Sequence, residues 1–158
     1  MGKKLQEILS EVDSLILDTS FLLPYIGIRV KGIDEEISNY LEGIKLYYPY
    51  ILLPELIGVI FKVSKKYRFE RIPIEALNGL NTIIYGNDIR LLTPKSEDIE
   101  IAYDLIRKGL NDLFDALLYS TSIRTRIKVI TGDKTLLNFL ENKGFNTENI
   151  LLVHYTSR

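Results

Sequence analysis

Short apolar runs alternate with longer amphipathic segments along this chain. The first run, Leu15-Ile16-Leu17, is followed at once by Asp18, and three apolar residues without polar alternation are typical of a strand buried on both faces. Similar runs recur further along the chain. We predict strands over about 14–18, 49–54, 89–92, 127–131 and 150–153.

The amphipathic segments predict helices between these strands. Apolar residues from Ile33 to Tyr48 recur at helical spacing, and acidic residues occupy the first turn of this segment, where they are favoured. Pro54 suits the first turn of a helix that runs to about Tyr67. Further helical segments are predicted over 3–12, from Thr19 to near Gly27, and over 73–85, 96–107, 111–124 and 133–142.

The alternation of strands and helices predicts an α/β fold. We expect a central, mostly parallel sheet of four to five strands with helices on both faces. The 158 residues are expected to form a single domain, 1–158, with a leading helical segment at 1–13.

Composition narrows the chemistry that this domain can carry. Hydrophobic residues make up 46% of the chain and charged residues 26%, which is typical of a globular protein. The absence of cysteine excludes disulfides, thiolate metal sites and cysteine nucleophiles, and a single histidine excludes a histidine-rich metal site. Because no apolar run is long enough for a membrane span, we expect a cytoplasmic protein without membrane contact.

Acidic residues follow several of the predicted strands. Asp18 and Asp133 each stand between a strand and a helix, and Glu55 has the same context. Because parallel strands place their carboxyl ends at one edge of a sheet, these side chains are expected to converge there. Asp115, in the helix that precedes the strand leading to Asp133, can reach the same edge. Taken singly, each acid is more simply explained as a helix cap or an exposed residue.

Carboxylates that share a pocket repel one another. At about 4 Å and an effective dielectric constant near 20, each like-charged pair costs roughly 4 kcal/mol. Either some of the acids are protonated, or a divalent cation neutralises them. An all-oxygen site without histidine or cysteine favours Mg²⁺ first and Mn²⁺ second, and both ions support phosphodiester hydrolysis.

Four short motifs resemble, in their order along the chain, those of the PIN-domain family. They are Leu17-Asp18-Thr19-Ser20, Leu53-Pro54-Glu55-Leu56, Asp115-Ala116-Leu117-Leu118 and Thr131-Gly132-Asp133. The resemblance implies a three-layer α/β/α fold and metal-dependent cleavage of RNA by an acidic cluster. Many relatives are toxin ribonucleases of the VapC type that pair with an antitoxin, others process ribosomal RNA, and homodimers are common in the family.

The resemblance also implies roles for individual residues. The catalytic acids around Mg²⁺ or Mn²⁺ would be Asp18, Glu55, Asp115 and Asp133. Ser20 would orient Asp18 or bind a metal-bound water, and Thr131 would support Asp133. Asp112 lies three residues before Asp115, on the same helix face, and would be an additional ligand, or would take the place of Asp115 if the helix starts elsewhere.

Three functions remain open at this level. The first is a Mg²⁺- or Mn²⁺-dependent endoribonuclease with an RNA substrate and, if it is a toxin, an antitoxin partner. The second is a catalytically silent PIN-like module that binds RNA or protein, although the presence of all four acids favours the active form. The third is an α/β phosphotransfer protein, but Asp18-Thr19-Ser20 lacks the second aspartate that a phosphatase of this kind needs.

A basic stretch begins in the second half of the predicted helix that carries Glu55 and continues past the end of that helix. Its cations are Lys62, Lys65, Lys66, Arg68 and Arg71, interleaved with Tyr67 and Phe69. Such residues can attract RNA phosphates and stack on bases. A solvated helix end explains the same pattern, because the helix dipole favours Lys and Arg there.

Overall fold

Five parallel strands form one central sheet in the part of the chain that this computed structural model describes, residues 2–30 and 39–153. They are β1 (Ser14–Leu17), β2 (Lys45–Pro49), β3 (Ile89–Leu92), β4 (Lys128–Thr131) and β5 (Ile150–Leu152). Their order across the sheet is β3-β2-β1-β4-β5, and every neighbouring pair is parallel. The predicted parallel sheet is confirmed.

Helices cover both faces of this sheet. The α-helices are α1 (Gly2–Ser10), α2 (Leu53–Lys66), α3 (Ile74–Tyr85), α4 (Ser96–Arg107), α5 (Leu113–Thr125) and α6 (Lys134–Asn142), and 3₁₀ helices span Thr19–Ile26 and Tyr50–Leu52. Consecutive residues of β1 point to opposite faces, yet Leu15, Ile16 and Leu17 are all at most 1% exposed. The fold is therefore the three-layer α/β/α arrangement. Within the described ranges, no helix combines the length and apolarity that crossing a membrane requires.

The helix predicted over Ile33–Tyr48 is wrong in its second half, because Lys45–Pro49 forms strand β2. Residues 31–38 of that prediction lie outside the described residues. The apolar spacing of this segment fits a helix, but Leu46 pairs with Leu15 of β1 on one side and with Ile89 of β3 on the other. Two strands distant in sequence thus override the local helical pattern.

The strand predicted over 49–54 is also wrong, since only Pro49 belongs to a strand. Tyr50–Leu52 is a turn of 3₁₀ helix that leads directly into α2 at Leu53. Pro54 stands in the first turn of α2, as predicted, and Leu52 is 1% exposed. The other predicted elements agree with the structure to within two residues at each end.

The order in which strands are added to the sheet reverses at β1. From β1 it builds outward through β2 and β3, and it then returns to place β4 on the other side of β1. In parallel sheets, such a switch point leaves a crevice beyond the carboxyl ends of the two central strands. Asp18 follows β1 and Asp133 follows β4, so both acids stand at this crevice.

The 3₁₀ helix that follows Asp18 packs closely against the backbone of α3. Gly79 of α3 faces the backbone of Tyr25, and a Cβ atom at this glycine would stand 1.8 Å from the Tyr25 carbonyl oxygen. Only glycine permits this contact without displacing one of the two helices. The 3₁₀ helix ends at Gly27, whose φ of 78° is left-handed.

A buried ion pair joins α4 to α5, the helix that carries Asp115. Arg124 Nε donates to Asp98 Oδ1 at 2.6 Å, and the backbone N–H of Lys95 donates to Asp98 Oδ2 at 2.9 Å. Asp98 is fully buried. Because both oxygens of this carboxylate are hydrogen-bonded, its charge is compensated, and the pair fixes α5 against α4.

Candidate active site

The structure brings the four predicted acids to the carboxyl-end edge of the sheet. Asp18 follows β1, Asp133 follows β4, and Glu55 and Asp115 stand in the first turns of α2 and α5. The charges on Asp133, Asp18 and Glu55 each raise the pKa of Asp115, so Asp115 lies within electrostatic range of the other three carboxyl groups. The four acids thus stand at the same edge of the sheet, and their joint role as a site stays a prediction.

Asp18 is held in place by the neighbouring strand. Its backbone N–H donates to the carbonyl of Ile130 at 3.2 Å, and the Thr131 hydroxyl donates to its Oδ2 at 2.6 Å. Burial raises the pKa of Asp18 above its usual value, against the effect of the Thr131 hydrogen bond, and the charges on Asp133 and Asp112 raise it further. The carboxyl group is thus fixed in position in an environment that disfavours its charge.

Thr131 connects Asp18 with Asp133. The backbone N–H of Asp133 donates to Thr131 Oγ1 at 3.0 Å, so one fully buried hydroxyl serves both acids. Asp133 is the N-cap of α6, and its Oδ1 accepts hydrogen bonds from the N–H groups of Thr135 at 2.7 Å and Leu136 at 3.4 Å. Both hydrogen bonds of the cap are accepted by Oδ1, and none is accepted by Oδ2.

A chain of hydroxyl groups holds Glu55. Thr19 Oγ1 donates to Glu55 Oε2 and lies 2.9 Å from Tyr48 Oη. Tyr48 Oη in turn donates to the carbonyl of Leu52 at 2.9 Å. Thr19 is 4% exposed and Tyr48 is fully buried, so the network lies in the core directly behind the acids.

The surroundings of Glu55 disfavour its charge, although Thr19 donates a hydrogen bond to it. Burial raises the pKa of Glu55, against the hydrogen bond from Thr19, and the charges on Asp18 and Asp112 raise it further.

Sequence reasoning missed the roles of Thr19 and Tyr48. The sequence predicts only that Thr19 begins a helical segment and that Tyr48 ends another. The position of Thr19 directly after Asp18 is a local signal that could have indicated a site residue. Tyr48 had no such signal, because only the pairing of β2 with β1 brings its hydroxyl to Thr19.

Asp115 occupies the most acidic surroundings. Burial raises its pKa to about 8, with further contributions from the charges on Asp112, Asp133, Asp18 and Glu55. Every charge that acts on its pKa is negative. Within the described residues, the ion pairs all lie on α4 or between α4 and α5, and none includes Asp115. The cluster therefore lacks a protein cation in this part of the chain.

Asp112 lies at the border of the cluster. It is the N-cap of α5, where its Oδ1 accepts from the N–H groups of Phe114 at 2.8 Å and Asp115 at 3.1 Å, and its side chain is exposed. The helix begins at Leu113, two residues later than predicted. Capping explains Asp112, but its charge also raises the pKa of Asp115. Both roles are compatible, because the cap uses one carboxylate oxygen.

Ser20 does not orient Asp18, since that hydrogen bond comes from Thr131. The Ser20 hydroxyl is buried and has no hydrogen-bond partner among the described residues. A buried hydroxyl without a partner is costly, and it typically marks the position of a water molecule, an ion or a ligand. The other predicted role of Ser20, contact with a metal-bound water, is consistent with this observation.

The donor types of the cluster fit a hard divalent cation. Within the described residues, however, no three acidic side chains stand close enough together to hold a single ion. All available donors are oxygen atoms, which Mg²⁺ and Mn²⁺ prefer.

The side chains predicted to bind RNA lie on the helix that carries Glu55 and directly after its end. Lys62, Lys65 and Lys66 occupy the C-terminal half of α2, and Arg68 follows its end. All four are exposed, and in residues 2–30 and 39–153 none of them belongs to an ion pair. Their charges are therefore available to a ligand.

Replacing Thr131 with Val is expected to lower the free energy of unfolding by about 1–2 kcal/mol, because Asp18 and the Asp133 N–H both lose a buried partner. Urea denaturation measures this loss. Thr121→Val is the matched control, since the Thr121 hydroxyl is also buried but donates to the Leu117 carbonyl within its own helix. Equal losses in the two variants would contradict a special role for Thr131.

Residues 15–140 match the family model of the PIN domain. A toxin-antitoxin complex from Klebsiella pneumoniae is similar in structure, with a TM-score of 0.56 and 16% identity over 87% of this chain and 95% of that chain. VapBC2 from Rickettsia felis, bound to a DNA fragment from its promoter, has a TM-score of 0.56 and 17% identity over 90% of this chain and 98% of that chain. At such identities the likeness shows the fold alone. No curated protein sequence matches the chain.

Proposed function

The chain belongs to the PIN-domain family, and on this premise we propose that it is a divalent-cation-dependent endoribonuclease that hydrolyses RNA phosphodiester bonds. The observation that carries the proposal is the environment of Asp115. At neutral pH, a half-buried carboxyl group with a pKa raised to about 8 and bordered by other acids is mostly protonated, and a bound cation would favour its anion.

Mg²⁺ or Mn²⁺ would be held by the acidic cluster. The proposed ligands and catalytic residues are Asp18, Glu55, Asp115 and Asp133, with Asp112 as an additional ligand. When bound, such an ion lowers the pKa of a water molecule and neutralises charge on the phosphate that is attacked.

The surrounding side chains would keep these carboxylates in position. Thr131 orients Asp18 and the backbone of Asp133, and Thr19 orients Glu55. The Ser20 hydroxyl would hydrogen-bond a water molecule at the site. In a site that must hold several like charges together, such fixed partners reduce the cost of bringing the ligands together.

The similar solved structures supply a context for this activity. One is described as a toxin-antitoxin complex, and the other as VapBC2 bound to a DNA fragment from its promoter. We therefore propose that this protein is the ribonuclease of a toxin–antitoxin pair, or an RNA-processing nuclease of the same type, that acts in the cytoplasm. An antitoxin protein and a second copy of the chain are its proposed protein partners.

RNA is the proposed substrate, and the exposed cations on α2 would attract it. Lys62, Lys65, Lys66 and Arg68 would contact its phosphates. Removal of one phosphate contact is expected to weaken binding and to reduce the dependence of affinity on salt concentration.

Purified protein is expected to cleave a panel of single-stranded and structured RNAs only when Mg²⁺ or Mn²⁺ is present. Gel electrophoresis of the products, with and without excess chelator, measures this requirement. The same cation should raise the melting temperature, because it binds the folded state alone. Full activity in excess chelator would refute the mechanism. Binding of the cation without cleavage of any RNA would instead identify a catalytically silent RNA- or protein-binding module.

A further inference from the structure

Two exposed aromatic rings lie at the C-terminal end of α2. The rings of Tyr67 and Phe69 stack, with centroids 5.9 Å apart and planes 23° apart. Tyr67 is 61% exposed and Phe69 is 51% exposed. Lys66 Nζ lies 5.7 Å from the centre of the Tyr67 ring. Adjacent rings in water beside a cation are typical of surfaces that bind a ligand rather than of surfaces that stabilise a core.

An unusual backbone conformation places the two rings side by side. Arg68, between them, has a φ of 55°, which is left-handed and unfavourable for a residue other than glycine. The turn is closed by hydrogen bonds from the Phe69 N–H to the Ser64 carbonyl at 3.0 Å and from the Arg68 N–H to the Lys65 carbonyl at 3.1 Å. Glycine is the usual residue at this position, whereas arginine adds a charge between the rings.

A line of positive charge leads from the acidic cluster to these rings. In an α-helix, residues separated by 7 and 11 positions lie within about 20° of the same face. Lys62 and Lys66 follow Glu55 at these separations, so both lie on the helix face that presents Glu55. The axial distance from Glu55 to Lys66 is about 16 Å at about 1.5 Å per residue.

We propose that Lys62, Lys66, Tyr67 and Phe69 form a second contact that binds single-stranded RNA on one side of the cleavage site. This inference rests on the proposed ribonuclease function. The lysines bind phosphates along α2, and a base stacks on the aromatic pair. At a stacked spacing of about 3.4 Å per nucleotide, the contact lies about five nucleotides from the acidic cluster, and fewer if the strand is extended.

The local charge identifies the ligand as a nucleic acid. Between Lys62 and Arg71 the sequence carries five cations and one acid, Glu70, in a chain whose net charge is -1. None of the five is in an ion pair within the part of the chain that the structure describes. Bases in a duplex are stacked on each other and cannot reach an aromatic side chain, so the ligand is a single strand.

The dependence of binding on RNA length tests this contact. Asp115→Asn protein is used so that the RNA stays intact, and fluorescence anisotropy measures the affinity for labelled oligouridylates of about 4 and about 12 nucleotides. The double change Tyr67→Ser and Phe69→Ser is expected to weaken binding of the longer RNA about 10-fold and to leave binding of the shorter RNA unchanged. The reciprocal change Tyr67→Phe with Phe69→Tyr keeps both rings and should restore the affinity.

Two control variants separate the contact from general effects of exposed residues. Tyr85→Ser removes a ring that is 81% exposed at the end of α3, and Lys143→Gln removes an exposed cation at the end of α6. Neither is expected to alter the affinity for either RNA. Lys62→Gln with Lys66→Gln should weaken binding of the longer RNA about 10-fold and reduce the slope of log K against log salt concentration by about 1.4.

Each outcome has a defined meaning. If the serine double variant binds the longer RNA as tightly as the Asp115→Asn protein does, the proposed contact is wrong. It is also wrong if the Asp115→Asn protein binds both RNAs equally well. Unchanged RNA binding with altered self-association in sedimentation also overturns it and assigns the rings to a protein interface. Cleavage by the wild-type protein with no effect of the double variant removes the contact but keeps the nuclease. If the serine double variant loses the tighter binding of the longer RNA but the wild-type protein cleaves no RNA, the contact is supported and the nuclease function is not.

Discussion

Asp115→Asn is expected to abolish RNA cleavage and, in the absence of divalent cations at pH 8, to make the protein more stable than the wild type. Asparagine keeps the shape of the side chain but cannot supply a charge to a cation. Loss of about 4 kcal/mol of transition-state stabilisation reduces the rate about 10³-fold. The stability rises because the variant removes a buried charge that four neighbouring acids repel. Product formation with Mn²⁺ and thermal unfolding in chelator measure the two effects.

A loss of cleavage together with a gain in stability distinguishes a residue needed for function from a residue that supports the fold. A residue that only supports the fold would lose activity and stability together. Asp104→Asn is the matched control, because Asp104 is an exposed acid paired with Arg107 and Lys108 on α4. It should leave cleavage unchanged. Cleavage by Asp115→Asn protein at the wild-type rate would disprove the proposed site.

Asp18→Asn and Asp133→Asn should also abolish cleavage while the fold stays intact. Asn at position 18 can still accept the hydrogen bond from Thr131, and Asn at position 133 is an effective helix N-cap. Circular dichroism should therefore be unchanged. Full activity of either variant would exclude the carboxylate from the mechanism.

The free energy of unfolding of the cation-free protein is expected to fall as the pH rises from about 4 to about 8. The pKa of Asp115 is raised from 3.8 in the unfolded chain to about 8 in the folded protein. Between these values the folded state binds a proton that the unfolded state has lost, so stability decreases with pH. After allowance for screening of a partly exposed group, we expect a loss of about 3 kcal/mol, or roughly 6–12 °C in melting temperature.

A divalent cation should reverse this dependence. Binding requires ionised carboxylates, so the affinity for Mn²⁺ rises with pH and binding releases protons. Saturating Mn²⁺ is therefore expected to raise the melting temperature more at pH 8 than at pH 5. Differential scanning calorimetry at several pH values, with and without Mn²⁺, measures both trends. The Asp115→Asn protein should show a smaller pH dependence than the wild type, with the remainder due to Asp18 and Glu55, and a wild-type slope in that variant would contradict the assignment.

The positions of the acids could be predicted from the sequence because their signals are local. Asp18 follows an apolar run and precedes a helical segment, and Asp133 repeats this pattern. Since parallel strands align their ends, two such local patterns predict a meeting point without knowledge of the strand order. Strands β1 and β4 are adjacent in the sheet, in agreement with this expectation. Their roles as metal ligands stay a prediction.

The chain around Tyr48 shows where local signals were insufficient. Its apolar spacing fits a helix, and only the hydrogen bonds of β2 to β1 and β3 make it a strand. For the same reason, the hydroxyl network from Tyr48 through Thr19 to Glu55 could not be predicted. Strand pairing depends on partners tens of residues away, whereas helical hydrogen bonds connect residues four apart.

From the order of its residues alone, this chain can be assigned an α/β fold with acids at several strand ends and helix starts, because residue type and local spacing carry that information. The folded molecule alone shows which group fixes each acid. Thr131 rather than Ser20 orients Asp18, and burial together with neighbouring acids raises the pKa of Asp115 to about 8. The physical reason is that burial and like-charge repulsion depend on distances in space, and these are established only when the strands pair.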